Sequence, residues 1–314
     1  MDLHLTLLRV VLVMFVMIAV AHALRRAGFF KDDHGAVFTN LVFKITVPAL
    51  IVHALATHPL DRTVLDLTLL SGAVGVAGML VGWLVGVLLR FDRATIGVVI
   101  LSGGFGNTVF LGFPLITGLY GDNAITTTDA VMISEVSLLL LFTLGVFTSI
   151  QFGSGDQAMR DKLRRMLAFF YSPVFIAICI GALWNWSPPP QDSFFVKALL
   201  ELTHVVGQST TFLAAIAIGL LLRFDGLRQD AVALGLVLVL NLVAHPLLAL
   251  YAVDGFGFQE PNRTVFVLEA AMPVAPLVAV FAGHYALNTR LASIAIIASL
   301  VISPLTILGL LFLL

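Results

Sequence analysis

Apolar residues in this chain run on for about twenty positions at a time and are then cut by short polar or charged clusters. The runs do not alternate with period two, so they read as helices rather than strands. Ten can be drawn, at residues 6–24, 35–57, 67–89, 95–119, 128–150, 167–186, 196–222, 230–252, 263–284 and 291–313. Each is close to the roughly 20 residues that a helix needs to cross the hydrocarbon of a bilayer. The longest polar stretch between them is Gln151 to Arg165.

Composition turns this pattern into a statement about solvent. Of 314 residues, 60% are hydrophobic and only 11% are charged, and the mean hydropathy is +1.05. Soluble domains carry about 25% charged residues, so this chain lacks the polar surface to cover itself in water. In lipid the backbone must satisfy itself, which long unalternating runs do as helices. The expected fold is therefore an all-α integral membrane protein of ten transmembrane helices. The single cysteine, Cys179, excludes a disulfide framework and a Cys-based metal site, and reads as a small core residue. Lys and Arg form no single patch, so a nucleic-acid partner has no footprint. Ala21-His22-Ala23 resembles a signal-peptidase site. The run before it is long enough to span and Arg25-Arg26 follow at once, so the first run is read as a retained anchor.

The charges orient the runs. Loops after odd-numbered runs hold Arg25, Arg26, Lys31, Arg90, Arg93, Arg160, Lys162, Arg164, Arg165, Arg223, Arg228 and Arg290. The opposite side holds Arg9, Arg62, Lys197 and Arg263, and Lys44 lies inside run two. Twelve against four places the odd loops in the cytoplasm and both termini on the non-cytoplasmic side of a cell (inner) membrane.

The two halves share a layout. Residues 90–114 run from Arg90-Phe-Asp-Arg93 through an apolar half-run and a Gly-rich break to Pro114. Residues 260–283 run from Glu260-Pro-Asn-Arg263 through an apolar half-run to Pro273, Pro276 and Gly283. Each is the fourth run of its half. Five runs per half is odd, so the second half enters the membrane inverted. The expected organisation is a first repeat at 1–151, a cytoplasmic linker at 152–165 and a second repeat at 166–314. Interrupted helices in matching positions of inverted repeats are the best sequence pointer to a transporter binding site.

Those interruptions carry the candidate chemistry. Ser102-Gly103-Gly104-Phe105-Gly106-Asn107-Thr108 and Gly112-Phe113-Pro114 do not suit an unbroken helix. Each Gly costs about 1 kcal/mol against Ala in a helix interior, and Pro about 3. Glycines also let helices pack closely in lipid, but adjacent Gly103 and Gly104 spread around the helix instead of forming one stripe. In run nine, Glu269 stands four positions before Pro273, with Pro276 three further on. A carboxylate at that depth costs roughly 2.5–3.5 kcal/mol on insertion scales, so it faces a cavity, a cation, a proton path or an internal polar partner. If the breaks meet, Asn107 approaches Glu269, and half-helix N-termini suit a substrate carboxylate.

Lys44 precedes Pro48 in run two and either snorkels to the interface or offers a fixed positive charge to an anion. Glu135 in run five either pairs with Lys44 or handles protons. Gln208-Ser209-Thr210-Thr211 reads as a polar break in run seven, able to line the same cavity. Asn241 and His245 are one turn apart and share a face. The histidines show no H-E-x-x-H spacing, and there is no Walker A or G-x-S-x-G sequence. The chain is accordingly expected not to be an enzyme, and to hold no metal apart from a coupling ion.

With these residues in view, the chain resembles the auxin efflux carrier family in its bacterial form. The resemblance rests on Asn40-Leu-Val-Phe-Lys-Ile-Thr-Val-Pro48, Gly106-Asn107-Thr-Val-Phe-Leu-Gly112-Phe-Pro114, Ser172-Pro173-Val and Ala270-Ala271-Met272-Pro273, in that order. It implies ten helices in two inverted five-helix repeats, with helices four and nine broken and crossing, a fold shared with bile-acid sodium symporters and sodium/proton antiporters. It implies a secondary transporter of a small organic anion working by alternating access, on a mono- or dicarboxylate such as malonate or an auxin-like carboxylate. The expected substrate residues are Gly106, Asn107, Thr108, Pro114, Pro273, Pro276 and Lys44. The expected coupling residues are Glu269, which resembles the cation-binding carboxylate of the bile-acid symporters, and Glu135. No cofactor is expected beyond Na+ or H+. The partners are the anion, the bilayer and, as an open arrangement, a second copy. An anion channel and a non-transporting receptor are the rival readings.

Overall fold

A computed structural model describes residues 3–31, 33–57, 62–120, 133–134, 136–137, 140–153, 170–221, 230–311 and 313. These residues are helical, with one isolated antiparallel bridge and no strand among them. Five helices among them are long and apolar enough to cross a bilayer: His34–Thr57, Leu65–Leu88, Phe194–Leu220, Ala231–Gly255 and Thr289–Leu310. Large apolar side chains such as Leu69, Leu88, Leu183, Phe195 and Leu305 lie exposed along the helices. In water such a surface would drive aggregation; against hydrocarbon it is at no disadvantage. Cys179 belongs to this surface. It is exposed on Pro173–Trp186, as are its neighbours Ile176 and Ile180, which corrects its assignment to the core. In a bilayer an apolar stretch has two places to go, and sequence alone does not separate them.

The chain forms two compact units. One comprises Met1–Met14, Thr63–Lys162 and Leu222–Leu314; the other comprises Phe15–Arg62 and Leu163–Leu221.

Within the second unit, Ser172 starts Pro173–Trp186 by accepting from the Phe175 amide at 3.2 Å, with Pro173 where a missing N–H does no harm. Asn185 Nδ2 donates to Leu55 O at 2.9 Å, and Gly181 leaves room for the Leu55 side chain. Arg25 donates to Leu220 O at 2.7 Å, placing a cation on the carbonyl end of Phe194–Leu221. That helix is continuous, so the polar break expected at Gln208–Thr211 is corrected. Ser209 Oγ donates to Val206 O at 2.6 Å and Thr210 Oγ1 to Gly207 O at 2.5 Å. Back-bonded hydroxyls satisfy themselves without unwinding the helix.

Wider π turns recur in front of prolines. Val42–Thr46 ends two residues before Pro48, Thr108–Gly112 two before Pro114, and Leu240–Ala244 two before Pro246. Proline offers no N–H to the carbonyl four residues back and its ring crowds that carbonyl. An inserted residue opens the turn enough for the helix to continue.

In the first unit, Arg62–Leu88 and Arg93–Gly104 pack backbone to backbone. A Cβ on Gly103 would lie 2.9 Å from Gly78 O, and one on Gly82 would lie 3.0 Å from Val99 O. Asp92 caps Arg93–Gly104 through the Thr95 amide. Asn288 joins three helix ends. Its Nδ2 reaches Asp230 Oδ1 at 2.9 Å and Thr95 Oγ1 at 3.0 Å, and its Oδ1 accepts from the Leu291 amide. Two residues earlier, Ala286 ends Leu277–Tyr285 in the left-handed region at φ 57°. That conformation costs an L-residue roughly 1–2 kcal/mol, and Ala286 is exposed. Ala286→Gly should therefore stabilise the protein by about 0.5–1 kcal/mol, after the entropy glycine adds to the unfolded chain. A raised thermal midpoint in detergent would confirm it; a lowered one would show that the methyl group packs.

Candidate functional site

The first unit contains two interrupted helices, and they meet. Arg93–Gly104 stops where Phe105 turns extended (φ −130°, ψ 111°), and the helix resumes at Thr108. Asn262–Ala270 stops at Ala271 and resumes at Leu277, with Pro276 at its N-cap. Between the stops, Gly106 and Val274 form the antiparallel bridge. The Asn107 amide donates to Pro273 O at 2.6 Å, and the Ala275 amide donates to Phe105 O at 3.1 Å. Gly106 permits this approach, because a Cβ there would sit 3.0 Å from Met272 O. The Val274 amide is satisfied by Ser299 Oγ at 3.0 Å. Backbone freed by two broken helices is thus satisfied by pairing the breaks, the condition for irregular backbone at membrane depth.

Both readings of the run-four glycines are realised. Gly103 and Gly104 lie against Gly78 and Gly75, and the helix ends right after them.

Around the pair, side-chain polar atoms are buried without partners. Glu269 is fully buried, and neither carboxyl oxygen has a hydrogen bond among the described residues. Asn107 is 4% exposed. Its backbone carbonyl accepts from the Leu111 and Gly112 amides, starting the second half-helix, and its Oδ1 is left unpartnered. An ionised carboxylate buried alone carries a penalty of several kcal/mol, so Glu269 demands a cation or a proton.

A cavity of about 20 Å³ opens beside it, lined by Ser71, Gly106, Thr108, Ser137, His245 and Glu269 among others. That is room for about one water molecule. The first half-helices point their carbonyl ends at this place and the second halves their amide ends, so charges of both signs find a complementary dipole.

Of the expected residues, Gly106, Thr108 and Glu269 line the cavity, Asn107 and Pro273 form the paired backbone, and Pro276 caps the ninth-run half-helix. Pro114 is the second residue of Phe113–Tyr120, directly after the Thr108–Gly112 π turn that accommodates it. Lys44 lies in the second unit, exposed on the Val42–Thr46 turn. Glu135, and with it any pairing to Lys44, lies outside the described residues.

Two residues gain a place that their sequence signal only hinted at. Asn241 Nδ2 donates to Ser102 O at 3.1 Å, and His245 Nδ1 bonds Ala270 O at 3.0 Å. One face of Ala231–Gly255 therefore holds the last turn of both first half-helices. The i,i+4 polar pair in an apolar helix was the visible sign. Ser71 and Ser137 had none.

Broken helices that pair around buried polar groups are the arrangement in which membrane transport proteins place their binding sites. Comparison with known proteins agrees: a family model described as "Membrane transport protein" matches residues 6–311. The chain belongs to that family, the auxin efflux carrier family of the sequence resemblance. It is 26% identical to an "uncharacterized transporter" of Methanothermobacter thermautotrophicus over 93% of both chains. It is 24% identical to another "uncharacterized transporter", from Methanocaldococcus jannaschii, over 95% of this chain and 96% of that one.

Proposed function

We propose that this protein is a secondary transporter of a small organic anion, a mono- or dicarboxylate such as malonate or an auxin-like carboxylate, working by alternating access in the cell (inner) membrane. The observation that carries the reading is the pairing of two broken helices around Asn107 and Glu269, both buried and with unpartnered oxygens. Asn107 and the amide end of the half-helix beginning at Thr108 bind the carboxylate. Glu269 takes the coupling ion, Na+ or H+. The 20 Å³ cavity suits an ion or a water rather than a carboxylate substrate.

Ten helices in inverted repeats with external termini complete the proposal. The division of the chain supports the repeat. Run one is divided between the units at Met14 and Phe15; the second unit also holds runs two, six and seven, and the first holds runs three, four, five, eight, nine and ten. Run one apart, each half gives equivalent runs to each unit, which two inverted copies would do. Lys44 draws the anion.

Purified protein in liposomes preloaded with malonate or another small carboxylate should show saturable uptake of the labelled compound and counterflow. Flux rising linearly with concentration, without counterflow, would mean a channel. Binding without any flux would mean a receptor.

A further inference from the structure

We infer that the ion bound in the cavity is a proton, shared between Glu269 and His245. The inference rests on the reading of Glu269 as the coupling residue and goes beyond it by naming the ion and a second group that holds it.

The hydrogen bonds fix what each side chain offers. Ala270 O can only accept, so the 3.0 Å contact puts the neutral ring's proton on His245 Nδ1. Nε2 then presents a lone pair. It is buried without a partner, in a residue 8% exposed that lines the same cavity as Glu269. Asn241 is oriented the same way: its amide nitrogen donates to Ser102 O, and its Oδ1 is left over. The unpartnered buried atoms around the breaks are Glu269 Oε1 and Oε2, His245 Nε2, Asn107 Oδ1, Asn241 Oδ1 and Ser102 Oγ. All but the hydroxyl are acceptors only. A buried carboxylate and a ring nitrogen that line one cavity, neither with a hydrogen-bond donor among the described residues, call for positive charge.

The donor set selects which positive charge. Hard cations are held by oxygens, whereas His245 Nε2 brings to the cavity an imidazole nitrogen, a group that holds a proton or a transition metal. A transition metal would need three or four such groups, and no group of three His, Cys, Asp or Glu exists among the described residues. A proton needs no coordination sphere. It needs one base to hold it and a second to exchange with, directly or through the single water the cavity can hold.

The position also couples the proton to the helix break. Glu269 precedes Ala270, whose carbonyl His245 holds at the end of Asn262–Ala270. A proton on the ring adds positive charge at that carbonyl end, where the helix dipole favours it; deprotonation removes it. Of the cavity's described walls, Ser71 comes from Arg62–Leu88, Gly104, Gly106 and Thr108 from the first break, and Ile133 and Ser137 from the segment before Leu141. None of these titrates, which leaves Glu269 and His245 as the two titratable groups facing the cavity; Glu135 lies outside the described residues.

The test needs neither substrate nor transport, so its failure and that of the transport reading are distinguishable. Infrared difference spectra of the full-length protein in lipid nanodiscs are recorded across pH, in potassium and in sodium chloride. The expected result is a protonated-carboxyl band that titrates in the wild type at the same midpoint in both salts. The band should be absent in Glu269→Gln. In His245→Asn, which keeps a donor for Ala270 O but removes the second base, its midpoint should be displaced by about tenfold in proton concentration, as coupled sites require. A midpoint that follows sodium concentration would overturn the inference in favour of a sodium site. A band that persists in Glu269→Gln, or a midpoint unchanged in His245→Asn, would also overturn it. The wild-type salt comparison stands even if a variant fails to fold.

Discussion

Glu269→Gln is expected to abolish ion-driven accumulation while leaving the protein folded and able to exchange substrate across the membrane. The amide has nearly the shape of the carboxyl group, so the contact with Gly112, where any Cβ would collide with the carboxylate, is preserved. What changes is the capacity to lose a proton or hold a cation. A fully buried carboxylate without a described partner is expensive to ionise, and the amide removes that penalty. The thermal midpoint in detergent should therefore be equal or higher. In liposomes the inside-to-outside ratio of labelled substrate should fall from a value set by the ion gradient to about one, while counterflow continues. Gradient-driven accumulation at the wild-type level would remove Glu269 from coupling. Loss of counterflow as well would give it a part in substrate binding.

The breaks were legible in the sequence because they violate a rule. Adjacent glycines followed by Asn107, and paired prolines behind Glu269, are poor helix in segments otherwise apolar enough to be helix. Their meeting was conditional on a fold the sequence could only suggest, and the hydrogen bonds of Asn107 and Ala275 supply it. The runs were legible for the same reason that Cys179 was misplaced: apolar length marks a helix, but lipid and core both accept apolar side chains. Gln208–Thr211 misled because hydroxyls that look like a break can turn back onto their own helix. His245 shares a helix face with Asn241 in the sequence and fits no metal-binding spacing. Its role depends on which carbonyl its ring reaches, and that is a long-range fact carried by no local pattern. Asn241, four residues earlier, was the usable clue, since two polar groups on one face of an apolar helix need a shared destination.

Gly78→Ala should be among the most damaging single-methyl changes in the protein. Helices in lipid gain little from the hydrophobic effect and depend on close backbone approach. Gly78 lies against the Gly103 carbonyl, where Arg62–Leu88 packs on Arg93–Gly104. An added Cβ would fall onto the Gly103 carbonyl and lie 3.2 Å from His245 Cδ2. Backbone cannot step aside as a side chain can, so the helices must separate. Overpacking typically costs about 1–3 kcal/mol, and a collision with backbone belongs at the top of that range. The separation acts on the end of the half-helix that leads into Gly106 and on the ring that holds Ala270, so the pairing of the breaks should suffer with it. Gly235→Ala is the control. It lies within Ala231–Val239 with nothing within 4 Å of the new Cβ, and gains up to about 1 kcal/mol of helix propensity. Thermal unfolding of the two variants side by side should move in opposite directions. A Gly78→Ala protein as stable as the wild type would mean that these helices are not in backbone contact in the membrane.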